Sequence, residues 1–116
     1  MKNLSFYIQN ARKNPKERRL QLAQFIDDFL QSKDLSSISQ RVRLKDPLAS
    51  LFIATAHQLT LDFKLKTPEW LMNYTPLKEP YFVSELEGMK MLALRDSPYA
   101  FRLRNIYVTR NFLQRV

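Results

Sequence analysis

The sequence predicts an all-α fold with at most one short β element, a small single domain built around a central helix at about residues 47–63. Three observations lead there. Four prolines, Pro15, Pro47, Pro68 and Pro98, each follow a residue suited to capping a helix N-terminus: Asn14, Asp46, Thr67 and Ser97. Proline suits the first helical position because its missing N–H has no helical partner there, and the preceding side-chain oxygen accepts from the free amides. The apolar residues of the two longest segments recur at spacings of three and four, the period of a helix face. The chain also holds a single glycine, Gly88, so tight hairpins and glycine-rich phosphate loops lack their usual material.

Taken in order, Leu4, Tyr7, Ile8 and Ala11 suggest a short amphipathic turn or two. A helix is expected from about Pro15 to Ser32, with Asn14 and Glu17 at capping-box spacing and Leu22, Phe25, Ile26, Phe29 and Leu30 as its stripe. Its charges oppose the helix dipole, with Lys16, Arg18 and Arg19 at the positive end and Asp27 and Asp28 near the negative end. Either the misfit is tolerated or these charges face a partner. Leu35, Ile38 and Val42 fit a short helix or a loop. In the central helix, Leu48, Leu51, Phe52, Thr55, Leu59 and Phe63 line one face, and Ile53, Ala56 and Leu61 widen it. Residues 1–45 thus carry the N-terminal helices, and 46–116 complete the domain.

Beyond Phe63 the elements shorten. Thr67-Pro68-Glu69-Trp70 begins a helix of one or two turns, and Thr75 to Pro80, with two prolines, reads as an irregular loop. Ser84 and Glu87 have capping-box spacing before Met89–Leu94, where partial alternation makes a strand the rival reading. Ser97-Pro98 starts a helix through about Arg104. Ile106-Tyr107-Val108 is β-prone but too short to form a sheet alone, and Thr109 can cap a last turn ending at Val116.

Composition bounds the function. The 116 residues, 45% hydrophobic and 26% charged, match an ordinary globular domain. No cysteine is present, which excludes a disulfide framework, a thiolate zinc site and a cysteine nucleophile, and fits a reducing cytosol. No apolar run approaches the roughly 20 residues of a membrane span. Met1 to Asn10 lacks the pattern of a signal peptide, so a cytoplasmic protein with no membrane partner is expected. The net charge of +8 points to a polyanion or an acidic protein as partner.

Chemistry is not evident. His57 is the only histidine, has no partner at metal-binding spacing, and is expected to be a hydrogen-bonded core residue. Asp27 and Asp28 diverge by about 100° on a helix, and Glu85 and Glu87 likewise diverge. Ser36, Ser37 and Ser39 have no nucleophile-elbow context. The expectation is therefore a protein that is not an enzyme, with no catalytic residue, cofactor or metal.

Two features suggest binding. Trp70, the only tryptophan, is followed by Tyr74, Tyr81 and Phe82. It is expected to be largely buried against them, the alternative being a binding platform. The C-terminal run carries Arg95, Arg102, Arg104, Arg110 and Arg115 against Asp96 alone, interleaved with Tyr99, Phe101, Tyr107 and Phe112. Arginine favours bidentate contacts to carboxylates or phosphates, and arginine–aromatic interleaving also suits nucleic acid. The candidate partner-binding set is Trp70, Arg95, Tyr99, Arg102, Arg104, Tyr107, Arg110 and Arg115. Arg102 and Arg104 are two apart, so on a continuous helix they diverge by about 200°. One should brace the fold by pairing with Asp96, Glu85 or Asp62, and the other should face solvent.

The stretch Thr67-Pro68-Glu69-Trp70, then Tyr81-Phe82, then Ser97-Pro98-Tyr99-Ala100-Phe101-Arg102-Leu103-Arg104-Asn105-Ile106-Tyr107-Val108, resembles a domain of bacterial antitoxin-type proteins. The pattern there is Pro-x-Trp, an aromatic pair, then Ser-Pro-x-x-Phe-Arg-x-Arg-Asn-Ile-Phe-Val. Ala56-His57-Gln58-Leu59 also fits that family's helix before the tryptophan. Such proteins carry a Cro/repressor-like helix-turn-helix first and this domain second, and are encoded beside nucleotidyltransferase-type toxins. The resemblance covers about residues 46–116. Upstream of Asp46 the sequence shows no two-helix unit with a polar recognition helix, so the resemblance implies binding of a protein partner, such as a cognate toxin, over direct repression. Nucleic-acid binding through the arginine-rich segment is the alternative, and a homo-oligomer is left open.

Overall fold

The computed structural model describes residues 2–43, 46–83, 87–109 and 112. The fold is mostly helical with one two-residue strand pair, as the composition and periodicity predict. Helix α1, Leu4–Lys13, is longer than the expected turn or two. Asn3 caps it by accepting from the Phe6 amide, and Leu4, Tyr7, Ile8 and Ala11 form a fully buried stripe. Helix α2, Arg18–Ser32, follows after a short connection and packs on α1. Its Phe25, Ile26 and Phe29 enter the core with Phe52 and Leu51 of α3, Pro47–Asp62. Nearly every residue of α3 from Ala49 to Thr60 is buried, so it is the central helix, covered by α1 on one side and by α6, Tyr99–Arg102, on another.

Of the four proline signals, only Asp46-Pro47 works as expected, with the Asp46 carboxylate accepting from the Ala49 amide at 2.9 Å. Asn14 makes no side-chain cap because it already serves as the C-cap of α1, its amide bound to the Asn10 carbonyl. Pro15–Glu17 therefore form a 3-10 turn, and α2 starts three residues later than expected. Pro68 and Pro98 are themselves the extended residues before their helices. The hydroxyls that should have capped are used elsewhere: Thr67 bonds Thr60, and Ser97 bonds Ala93 and Val108.

Two of the opposed charges of α2, Asp28 and Arg18, have internal partners. Asp28 accepts from the Tyr7 hydroxyl and from Gln24, and Arg18 donates to the Tyr81 hydroxyl at 2.7 Å. Leu35–Ile38 form a second 3-10 turn that buries Ile38. Helix α4, Glu69–Met72, is a single turn. Residues Glu87–Asp96 are helix α5 rather than a strand, and Ala93 is the buried contact of its middle. Ser84, its expected cap, lies outside the described residues, as does the expected end at Val116. Strand β1, Tyr81–Phe82, pairs in parallel with β2, Ile106–Tyr107, in the register Tyr81↔Ile106 and Phe82↔Tyr107. Parallel pairing requires a crossover, which α5 and α6 provide.

Among the described residues three non-glycine positions take the left-handed conformation: Lys33 and Lys64 at the exits of α2 and α3, and Asn105 in the turn before β2, with φ of 50°, 54° and 64°.

Candidate functional site

The Ser97–Val108 segment is a clasp closed on itself and on α3. The Ser97 hydroxyl donates to the Ala93 carbonyl, and its oxygen accepts the Val108 amide at 2.9 Å, so both ends of the segment meet at one atom. The Gln58 carbonyl oxygen accepts the Ala100 amide at 2.9 Å and caps α6 from a residue 42 positions away. Its amide nitrogen donates to Asp62 on the same helix. Phe101 and Ile106 are fully buried, and Asn105 turns the chain with positive φ while its side chain donates to the Leu77 carbonyl.

Arg104 is the bracing arginine and is 3% exposed. The expectation that it pairs with Asp96 or Asp62 is not met, and Glu85, the third candidate, lies outside the described residues. Its guanidinium donates to the carbonyls of Ala100 at 2.9 Å and Leu71 at 2.7 Å and to His57 Nδ1 at 3.1 Å. The reason is geometric: α6 ends at Arg102, so Arg104 turns back under its own helix, where main-chain oxygens are the nearest acceptors. The Tyr74 ring lies 5.5 Å from its guanidinium carbon. Arginine has no acceptor, so the His57 Nδ1 lone pair must receive the bond and the ring proton sits on Nε2. His57 is buried as expected, and burial first, then the Arg104 charge, push its pKa down from 6.5 to about 4.

Arg102 is exposed, as its place two residues away predicts, and donates to the Arg95 and Ser97 carbonyls. Arg95 pairs with Asp96 at 3.0 Å. With them lie the exposed side chains of α5 and α6: Met91 at 71%, Leu92, Leu94, and Tyr99 at 63%. Met91, Leu94 and Arg95 share the helix side opposite buried Ala93. Tyr99 sits one turn before Arg102 on α6. Tyr107 does not join this face; it is half-buried and stacks on Phe82 with 5.3 Å between centroids. Arg110 and Arg115 lie outside the described residues.

Trp70 corrects a second expectation. It is half-buried, and its indole N–H donates to the Ile38 carbonyl at 2.8 Å, tying α4 to the Leu35–Ile38 turn. The expected aromatic cluster is dispersed: Tyr81 holds Arg18, Phe82 stacks on Tyr107, and Tyr74 lies over Arg104. The rest of the Trp70 ring lines an open cleft of about 290 Å³ with Arg41, Arg43, Ser50, Tyr74 and Arg104. Sequence reasoning missed Arg41 and Arg43 because nothing local marks them; they lie about thirty residues from Trp70, and only the fold joins them. Among the described residues no group of three or more histidine, aspartate or glutamate side chains could hold a metal ion, and no helix is long and apolar enough to cross a membrane. Comparison with protein-family models, with curated proteins and with solved structures yields no match to this chain.

Proposed function

We propose that the protein is a non-catalytic, antitoxin-like interaction module that binds an acidic protein partner. The observation that carries this reading is the exposed set on α5 and α6, Met91 and Leu94 with Arg95 on the one and Tyr99 with Arg102 on the other, the two helices joined by the Arg102 bond to the Arg95 carbonyl. Apolar and aromatic side chains next to arginine are the composition of protein-interface anchors. A net charge of +8 favours an acidic partner. The likeness of Ser97–Val108 to antitoxin-type domains suggests the class of that partner, a toxin encoded next to this gene. His57 has its Nδ1 engaged by Arg104 inside the fold, which favours a binding role over acid–base chemistry. A nucleic-acid interface along the arginine-rich end has less support, because Arg104 faces inward and Arg102 spends donors on carbonyls.

The test is co-expression with the product of the adjacent gene, followed by size-exclusion chromatography. A stoichiometric complex is expected, and Met91→Asp combined with Tyr99→Asp should abolish it while leaving the free protein's unfolding temperature unchanged. Failure to form the complex, or a complex that survives both substitutions, would overturn the proposal.

A further inference from the structure

The cleft at Trp70 is electrostatically one-sided. Three arginines line it, Arg41, Arg43 and Arg104, and among the described residues no aspartate or glutamate does. Arg104 is buried, and among the described residues its hydrogen-bond partners are two carbonyls and a neutral imidazole, which orient its charge without cancelling it. Arg41, Val42 and Arg43 run outside any helix, and Val42 alone of the three is buried. Arg41 and Arg43 are exposed on either side of it, and both line the cleft. That places two planar, rotatable forks at the mouth of a cleft whose inner charge is already fixed.

We propose that this cleft binds one nucleoside phosphate unit, with Arg41 and Arg43 holding the phosphate and the Trp70–Tyr74 wall taking the base. Paired guanidinium forks match phosphate oxygens bidentately, and flat aromatic walls take bases whatever their sequence. A carboxylate alone would satisfy the charge but leave that wall unused. The polar edge of Trp70 is committed to Ile38, so the part of the ring facing the cleft is apolar. The volume of about 290 Å³ lies at the lower end of small-molecule sites and matches a single unit. Such a unit could be a free mononucleotide or one nucleotide of a single strand. The proposal is independent of the α5–α6 face.

The only tryptophan of the chain sits in the cleft, so its fluorescence reports occupancy directly. The full chain is titrated at low salt with adenosine monophosphate, adenosine, a single-stranded hexaadenylate and hexaglutamate, with correction for ligand absorbance. Saturable quenching by the monophosphate or the hexaadenylate is expected, with adenosine weaker by about tenfold or more and binding falling as salt rises. Free nucleotide is the source if the monophosphate binds at least as well as the hexaadenylate; a strand is the source if the hexaadenylate binds about tenfold tighter. The exposed pair Arg41→Gln and Arg43→Gln together should weaken binding about tenfold or more, with an unchanged circular dichroism spectrum. No quenching by either phosphate ligand up to about 5 mM would overturn the proposal. So would equal binding of adenosine, equal binding of hexaglutamate, or an affinity that the double substitution leaves unaltered.

Discussion

Acidification should destabilise this protein through a single buried imidazole. His57 is 4% exposed, and its Nδ1 accepts from a guanidinium that is itself buried. Protonating it would break that bond and place two cations side by side out of water. Burial and the Arg104 charge therefore hold its pKa near 4 in the folded chain against 6.5 in the unfolded one. Between these values the unfolded chain takes up a proton that the folded chain refuses. Stability is thus complete above about pH 6.5, declines as pH falls, and levels off below about pH 4. The difference of 6.5 − 4 in pKa corresponds to about 3 kcal/mol. For a chain of this length that is a fall in unfolding temperature of about 10 °C. Asp28 and Asp34, whose carboxyls are held below the ordinary range by hydrogen bonds from Tyr7 and Ser36, act only around and below pH 4. Thermal unfolding followed by circular dichroism at pH 7.5, 6.5, 5.5 and 4.5 and fixed ionic strength isolates the imidazole. His57→Gln, which keeps an acceptor for Arg104, should flatten the profile over that interval. A wild-type profile that is already flat, or one with the same slope in His57→Gln, would refute the reasoning.

Other substitutions probe the clasp and its surroundings, each read by denaturant unfolding. Arg104→Ala should cost about 3 kcal/mol, because it strands the Ala100 and Leu71 carbonyls and His57 Nδ1 while relieving a buried charge. It should also raise the His57 pKa, which proton NMR of the ring reads directly. Gln58→Ala should cost about 1–3 kcal/mol by uncapping α6 and orphaning the buried Ala100 amide; a neutral result would mean that water replaces the cap. Trp70→Phe should lose about 1 kcal/mol for the bond to Ile38, and Trp70→Ala more, for the packing as well. Lys64→Gly should raise the unfolding temperature by a few degrees, because relief of about 1–2 kcal/mol of left-handed strain exceeds the added entropy of the unfolded chain.

The long helices were legible because their information is local. The stripe Leu4, Tyr7, Ile8 and Ala11, the Asp46-Pro47 start, and the burial of α3 all follow from periodicity and one cap. The short elements were less so, because their stability comes from distant residues. Nothing near Ser97 says that its hydroxyl will serve Val108, or that Gln58 will cap the helix in its place. One inward and one outward arginine were expected from a helix continuing through Arg104, but α6 ends at Arg102 and the turn after it, not helix geometry, sets them apart; the partner of Arg104 was not legible either, since acceptors made of main chain leave no trace in side-chain identity. The candidate site was legible only in pieces. Trp70 and Arg104 stood out by type, whereas Arg41 and Arg43 reach the same cleft only through the path of the chain.

The left-handed positions Lys33, Lys64 and Asn105 also bear on the state from which the protein folds. An ordinary chain would place glycine at such positions and so loosen its denatured ensemble; this one has a single glycine and six prolines. Its disordered form therefore samples fewer backbone shapes and surrenders less entropy on collapse. The local torsional cost at three corners accompanies a stiffer starting polymer, which sets a narrower search before the clasp closes.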